Sequence, residues 1–278
     1  MAILEAVHAA TPQAGSLPEL LGPLRADPAA AAIFTDIDGT LAPIAERADE
    51  AAVPTDAREA LVALAGRYAL VGCLSGRRAA EARRLVGLDQ LAYIGNHGFE
   101  RLLPGAAEAQ LDPAVAGHED DAAAFVSRFD QAELASVGLR LEDKGPIRAL
   151  HWRGSADEAA AEARAREIAA EALGRNLVPH WGRKVLEIRP AVHLDKGTAL
   201  AELLQERGVA NALYGGDDRT DVDAFRRLRD LRAAGELEAA VCVGIGSDEG
   251  PPELADEADV LVDGPAGFVE VLRLLQES

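Results

Sequence analysis

Ile33-Phe34-Thr35-Asp36-Ile37-Asp38-Gly39-Thr40-Leu41 is the stretch that decides the fold. It reads as a short apolar strand that runs into two carboxylates and a turn. Ile33, Phe34 and Ile37 favour extended backbone, while Asp36 and Asp38 sit where the strand should end. Gly39 permits a tight turn, and Thr40 can bond to nearby backbone. Carboxylates one residue apart repel each other, so the pair is stable with a cation between them or with one proton shared. A polar turn after a strand is the plain alternative. An EF-hand loop is excluded, because it needs Gly at loop position six and Glu at twelve, where this chain has Leu41 and Arg47.

Outward from this stretch the pattern repeats. Tyr68 to Leu74 is apolar throughout, as suits a parallel strand buried on both faces, and it ends at Ser75-Gly76-Arg77. Leu91 to Ile94 ends in Gly95-Asn96-His97-Gly98, and Ala210 to Tyr214 in Gly215-Gly216-Asp217-Asp218. Helical segments separate these strands: one opened by Pro54, one through Arg84, and one from Lys196 to about Arg207. Further strands are expected at Val241–Ile245 and Asp259–Val262, with a last helix from about Ala266 to Leu275. Alternating strands and helices predict an α/β fold with a parallel, Rossmann-like sheet, whose ligands sit at the carboxyl ends of the strands. Asp36, Ser75, Asn96-His97 and Asp217 all fall there.

The texture changes at Leu103-Pro104-Gly105. A helix is expected from about Asp112 to Leu134. Strands follow at Leu139–Glu142 and Pro146–Arg153, joined by Asp143-Lys144-Gly145. An Ala-rich helix from Ala156 to Leu173 comes next, then a strand pair, Leu177–His180 and Lys184–Arg189. Residues 104–190 therefore read as an inserted α/β cap, and residues 1–103 with 191–278 as a discontinuous core. Residues 1 to 28 hold two short apolar helical patches without evident chemistry, and Glu46, Asp49, Glu50 and Asp56 make an acidic stretch after the first turn.

Composition narrows the function. The chain has 278 residues, 49% of them hydrophobic, enough for a sizeable core. A formal net charge of −19 argues strongly against a nucleic-acid or anionic-membrane surface, since both need a basic footprint. Cys73 and Cys242 lie in apolar runs and read as small core residues. His97, His151, His180 and His193 lack zinc-ligand spacing; only His97, at a strand end beside Asn96, suggests a role in the site. No apolar run spans a bilayer and no signal peptide is evident, so a cytoplasmic location is expected. The oligomeric state is not legible, with a monomer favoured.

Asp36 to Thr40, Ser75, Lys196 and the Asp217 to Asp221 cluster, in this order, resemble the haloacid-dehalogenase phosphatases, and the phosphoryl chemistry that this resemblance implies is assigned residue by residue. Asp36 is the candidate nucleophile: a carboxylate can attack phosphorus to give an acyl phosphate that water hydrolyses. Mg2+ would remove the repulsion between that carboxylate and a phosphate, being a hard cation that prefers oxygen. Asp38 is the candidate acid/base, with a pKa expected to be raised by the neighbouring carboxylate and by burial under the cap. Ser75 can bond a phosphoryl oxygen or cap a helix. Lys196 can neutralise phosphate and nucleophile together, although a solvated helix-start lysine is the alternative. Asp217, Asp218 and Asp221 exceed what one helix cap needs. Asp217 is expected as a direct metal ligand, and Asp221 as one acting through water or from behind. The metal set is thus Asp36, Asp38, Asp217 and Asp221.

In this order the segments Asp36–Thr40, Leu74-Ser75-Gly76-Arg77, Lys196-Gly197 and Gly216-Asp217-Asp218-x-Thr220-Asp221 resemble the haloacid-dehalogenase phosphatases. Asn96-His97-Gly98-x-Glu100, His151-Trp152-Arg153 and Gly182-Arg183-Lys184-Val185-Leu186-Glu187-Ile188-Arg189-Pro190 resemble the trehalose-phosphatases within that superfamily. The resemblance covers about Ile33 to Leu275. It implies a Mg2+-dependent hydrolase that converts trehalose 6-phosphate to trehalose and phosphate through an aspartyl phosphate. Arg77, Asn96, His97, Glu100, Arg153, Lys184 and Glu187 are its implied substrate contacts. Strand alternation groups Val185, Glu187 and Arg189 on one face and Lys184, Leu186 and Ile188 on the other, so Glu187 is expected to face substrate. The length leaves no room for the synthase domain that fused members carry upstream, and a stand-alone phosphatase is expected. Alternatives are a phosphatase for sucrose phosphate or mannosyl-phosphoglycerate, a phosphomutase, or a silent regulatory module that kept the fold.

Overall fold

A computed structural model describes residues 7–8, 16–45, 50–247 and 250–277. Most of the first apolar patch, and Glu46 and Asp49, lie outside the described residues. The chain divides into two compact units, residues 1–110 with 194–278 and residues 111–193.

The first unit begins with β1 (Val7–His8), α1 (Leu17–Ala26), β2 (Ala31–Thr35), α2 (Thr55–Ala65) and β3 (Leu70–Leu74). It continues with α3 (Ala79–Val86), β4 (Ala92–Gly95), β5 (Glu100–Leu102) and β6 (Gln110–Leu111). The inserted unit contributes α4 (Asp121–Val126), α5 (Gln131–Ser136), β7 (Arg140–Asp143), β8 (Arg148–His151), α6 (Glu158–Leu173), β9 (Leu177–Gly182) and β10 (Val185–Pro190). The first unit then resumes with α7 (Lys196–Arg207), β11 (Asn211–Gly216), α8 (Arg219–Ala233), β12 (Ala239–Gly246), α9 (Pro252–Glu257), β13 (Val260–Asp263) and α10 (Gly264–Leu274).

Nine strands of the first unit form one sheet in the order β1-β13-β12-β11-β2-β3-β4-β5-β6. The six central strands, β13 to β4 in that order, are parallel. Every residue of β2, β3, β4 and β11 is buried, which is why these strands read as unbroken apolar runs. Alternation divides them between two cores. Ile33, Val71, Leu213 and Val241 pack with residues of α1, α2, α3 and α10, whereas Phe34, Leu70, Tyr214 and Cys242 pack with α7, α8 and α9. Each fully buried Leu, Ile or Val adds about 1.5–3 kcal/mol. Both cysteines are free and buried.

β2 lies between β11 and β3, so connections leave it in opposite directions along the sheet. In sheets of this kind ligands bind at such a switch point, here the carboxyl ends of β2 and β11. Gly215 pairs with Thr35, and the Asp36 N–H donates to the Gly215 carbonyl at 2.8 Å. The register therefore delivers Asp36 and Asp217 to one place.

The inserted unit is a four-stranded antiparallel sheet, β7-β8-β10-β9. Leu150, Leu186 and Ile188 join Ala161, Ala165 and Ile168 of α6 in its core. The expected single helix from Asp112 to Leu134 does not form. One turn at Pro113–Val115 is followed by Gly117 at φ +84°. Asp130 then starts α5 by accepting the Ala132 N–H at 2.8 Å. A left-handed glycine and a fresh cap outweigh helical composition here. The unit also begins later than the Leu103-Pro104-Gly105 break, because β5 and β6 extend the first unit's sheet.

Candidate active site

Four charged side chains meet at the switch point. Lys196, the first residue of α7, is only 1% exposed, so it is no solvated lysine. Its Nζ donates to Asp36 Oδ1 and to Asp221 Oδ1, both at 2.7 Å. A cation at a helix N-terminus opposes the dipole, and these two carboxylates compensate. Asp195 caps α7 by accepting the Thr198 N–H at 2.7 Å, which fixes where Lys196 stands.

Asp221 is the hub. Its Oδ1 also accepts from the Tyr214 hydroxyl at 2.5 Å, and its Oδ2 accepts from the backbone N–H groups of Asp217 and Asp218 at 2.9 and 3.0 Å. Asp218 Oδ1 accepts the Thr220 and Asp221 N–H groups and so caps α8. Gly216 leaves room for the hub, since a Cβ there would stand 2.3 Å from Asp221 Cγ. Gly39, at φ +100°, does the same for Asp217: a Cβ would fall 2.2 Å from its Oδ2. The Thr40 hydroxyl donates to Asp217 Oδ1 at 3.2 Å, tying the turn after β2 to the end of β11.

Asp36, Asp217 and Asp221 each place a carboxylate oxygen within 4.8 Å of the others, and all three are buried. Burial pushes the Asp36 carboxyl well above the usual carboxylate range, opposed by Lys196 and reinforced by Asp221 and Asp217. Burial likewise raises Asp221 to about 6. Burial works against the Lys196 charge, but Asp221 and Asp36 outweigh it and hold the ammonium well above its ordinary pKa. With all three acids ionised, three carboxylates and one ammonium leave two formal negative charges in a buried site. That balance and the all-oxygen donor set fit a divalent cation.

Asp38 departs from expectation. It is outside the metal-capable cluster, and its side chain is 34% exposed rather than buried against a second carboxylate. Both its oxygens accept from Arg77: Nε to Oδ2 at 2.7 Å and Nη2 to Oδ1 at 2.8 Å. Ser75 is not a helix cap either. Arg78 takes the N-cap position of α3, while Ser75 Oγ accepts the Arg77 N–H at 3.1 Å.

Asn96 and His97 both have left-handed backbone, φ 51° and 57°, a costly arrangement typical of functional turns. Their N–H groups donate to the carbonyls of Arg77 and Ser75 at 2.8 and 3.0 Å, which brings the two strand-end motifs together. Glu100 is only 3% exposed and its Oε1 accepts the Ala79 N–H at 2.6 Å, so it serves the start of α3.

In the inserted unit, Glu187 lies opposite the Leu186–Ile188 face, in keeping with alternation, and is buried. Lys144 Nζ donates to its Oε1 at 2.6 Å, and Arg189 Nη2 and Nε to its Oε2 at 2.6 and 3.0 Å. Lys184 belongs to neither face of β10. It sits in the hairpin turn at φ +59°, and its Nζ pairs with Glu158 at 2.6 Å. Arg153 is exposed in the turn after β8, its Nη2 3.4 Å from the Arg183 carbonyl.

Sequence reasoning missed Tyr214, Lys144 and Thr40. A lone tyrosine in a fully buried strand was a usable signal, because its hydroxyl must find a partner. A lysine in a hairpin turn gave none.

A family model described as trehalose-phosphatase matches residues 34–252. The chain is 34% identical over 261 residues to a trehalose 6-phosphate phosphatase of Zea mays, covering 87% of this chain and 69% of that protein. It is 33% identical over 260 residues to a trehalose-phosphate phosphatase of Mycobacterium avium, covering 88% of this chain and 62% of that one. The C-terminal domain of a Candida albicans trehalose-6-phosphate phosphatase shares the fold, with a TM-score of 0.78 at 20% identity over 95% of this chain and 98% of that one. The inserted α/β unit is part of the likeness.

Proposed function

Because the chain belongs to the trehalose-phosphatase family, we propose that it is a Mg2+-dependent phosphatase that hydrolyses trehalose 6-phosphate to trehalose and phosphate. The observation that carries this reading is the buried cluster of Asp36, Lys196, Asp217 and Asp221 at the switch point.

Asp36 is the nucleophile. Lys196 fixes its carboxylate through Oδ1 and leaves Oδ2 to attack phosphorus. As the phosphorus–oxygen bond to the sugar breaks, Asp38 gives its proton to the departing oxygen. Water then attacks phosphorus, Asp38 takes the water proton, and Asp36 leaves as a carboxylate with inorganic phosphate. Asp36 and Asp217 are assigned as the side chains that hold the metal. Asp221, with both oxygens engaged, orients Lys196 and the backbone around it. The metal, when bound, neutralises the phosphate and polarises its oxygens. Ser75, Asn96 and His97 are assigned to the phosphoryl group at neighbouring strand ends. The inserted unit is assigned to the sugar, with Glu187, Lys184 and Arg153 as the groups that read its hydroxyls.

A phosphate-release screen over a panel of sugar phosphates, with Mg2+ and with EDTA, tests the reading. Trehalose 6-phosphate should lead the panel by at least tenfold in kcat/KM, and EDTA should abolish release. A preference for a monosaccharide phosphate, or metal-independent release, refutes it.

A further inference from the structure

The Arg77 fork on Asp38 assigns a task that the motif alone does not. Resting on the phosphatase reading above, we propose that Arg77 is a positioning residue for the second half-reaction, aiming Asp38 as the base that activates water. Two parallel N–H···O bonds of 2.7 and 2.8 Å fix both the place and the plane of the carboxylate. Arg77 is itself held: its Nη1 donates to Glu81 at 2.8 Å, its N–H to Ser75 Oγ, and its carbonyl accepts from Asn96. A carboxylate has about four lone-pair sites. The fork occupies one on each oxygen, and a lone pair on each remains for water.

The fork matches the half-reaction in which Asp38 is a carboxylate. Water oxygen bonds to phosphorus, one water proton passes to Asp38, the bond from phosphorus to Asp36 breaks, and its electron pair returns to Asp36. An arginine that gripped substrate phosphate would keep its fork free for phosphate oxygens. Arg77 has turned that fork onto Asp38.

The test is rapid-mixing kinetics of the full chain in saturating Mg2+ with p-nitrophenyl phosphate, whose leaving group departs without a proton. In Arg77→Ala and Arg77→Lys, the aspartyl phosphate should still form but break down slowly. The expected result is a burst of p-nitrophenol approaching one per active site. Acid-quenched phosphoenzyme should be at least fivefold above wild type, with kcat and KM falling together by at least tenfold. The lysine variant keeps the charge without the fork and shows the same pattern even if alanine destabilises the loop. A raised KM without phosphoenzyme overturns the proposal in favour of phosphate binding. A loss of kcat with neither a burst nor a change in KM overturns it in favour of a loop staple. A wild type that labels no Asp36 in the first turnover refutes the phosphatase reading, and this inference with it. A labelled wild type beside unlabelled variants overturns the inference alone.

Discussion

Replacing Lys196 by methionine removes the ammonium between Asp36 and Asp221 and keeps most of the side-chain volume. Both partners are buried and both bonds are 2.7 Å long. Breaking a buried ion pair costs about 3–5 kcal/mol, because a charge is left without its counter-ion. Here the carboxyls have an escape, which is to hold protons. Burial already raises Asp36 and Asp221, and Lys196 is the main influence opposing that rise. Without Lys196, one of these carboxyls should keep a proton above pH 6 that it sheds in wild type. A carboxyl raised above its unfolded value stabilises the fold at low pH, and that stability is lost as pH climbs through the folded pKa. One extra proton steepens the loss by about 1.4 kcal/mol per pH unit. The deficit of Lys196→Met should therefore be small at pH 5 and grow by about 2.7 kcal/mol between pH 6 and 8. Urea denaturation in EDTA at pH 5, 6 and 8 measures it, and turnover should be lost at every pH. An equal deficit at all three values would show that Lys196 packs like a hydrocarbon and does not neutralise the cluster.

Asp36→Asn should abolish turnover in a folded protein, and fluoroberyllate should bind the wild-type site only. Asp217→Ala should weaken Mg2+ at least a hundredfold, read from the metal dependence of turnover and of Tm, while losing about 1 kcal/mol of stability with the Thr40 bond; normal activity at low Mg2+ would remove Asp217 from the metal site. Because Asp221 holds its proton up to about pH 6 and Asp36 is raised as well, Mg2+ binding should weaken as pH falls through 6 and should release protons there. Calorimetry in buffers of different ionisation enthalpy at pH 5.5 and 8 checks this, and proton-neutral binding at pH 5.5 would contradict it. Glu187→Gln should lose about 2–4 kcal/mol of transition-state binding for trehalose 6-phosphate while barely changing p-nitrophenyl phosphate turnover; equal losses on both would mean that the sugar is read elsewhere.

The core of the fold was legible because burial on both faces leaves a strong mark: a strand such as Leu70–Leu74 has no polar face to keep. The positions of Asp36, Ser75, Asn96 and Asp217 followed from one rule, that a parallel sheet gathers its strand ends. What the sequence could not show was who bonds to whom across separations such as 39 and 177 residues. Asp38 was assigned a buried carboxylate neighbour on the strength of its place next to Asp36, and it met Arg77 instead. In an extended segment residues two apart share a face, but the chain turns at Gly39, and the turn sends Asp38 toward the loop after β3. The helix break at Gly117 and the hairpin position of Lys184 escaped for a related reason. Both depend on left-handed backbone, which a single glycine invites and a lysine conceals.

Glu187 shows the limit most clearly. Alternation gave its face correctly, yet it could not show that Lys144 and Arg189 would both bond to the same carboxylate. Two cationic donors meet one carboxylate here, in a chain whose net charge is −19. On the proposed reading, in which Glu187 meets the sugar, such a trio would favour binding, because donors and acceptors are fixed in position before the sugar arrives. The same bonds make Glu187 a structural residue as well. That is why glutamine, which keeps the shape and one acceptor oxygen, separates recognition from folding, whereas alanine would remove the shared acid from two buried cations and confound the two.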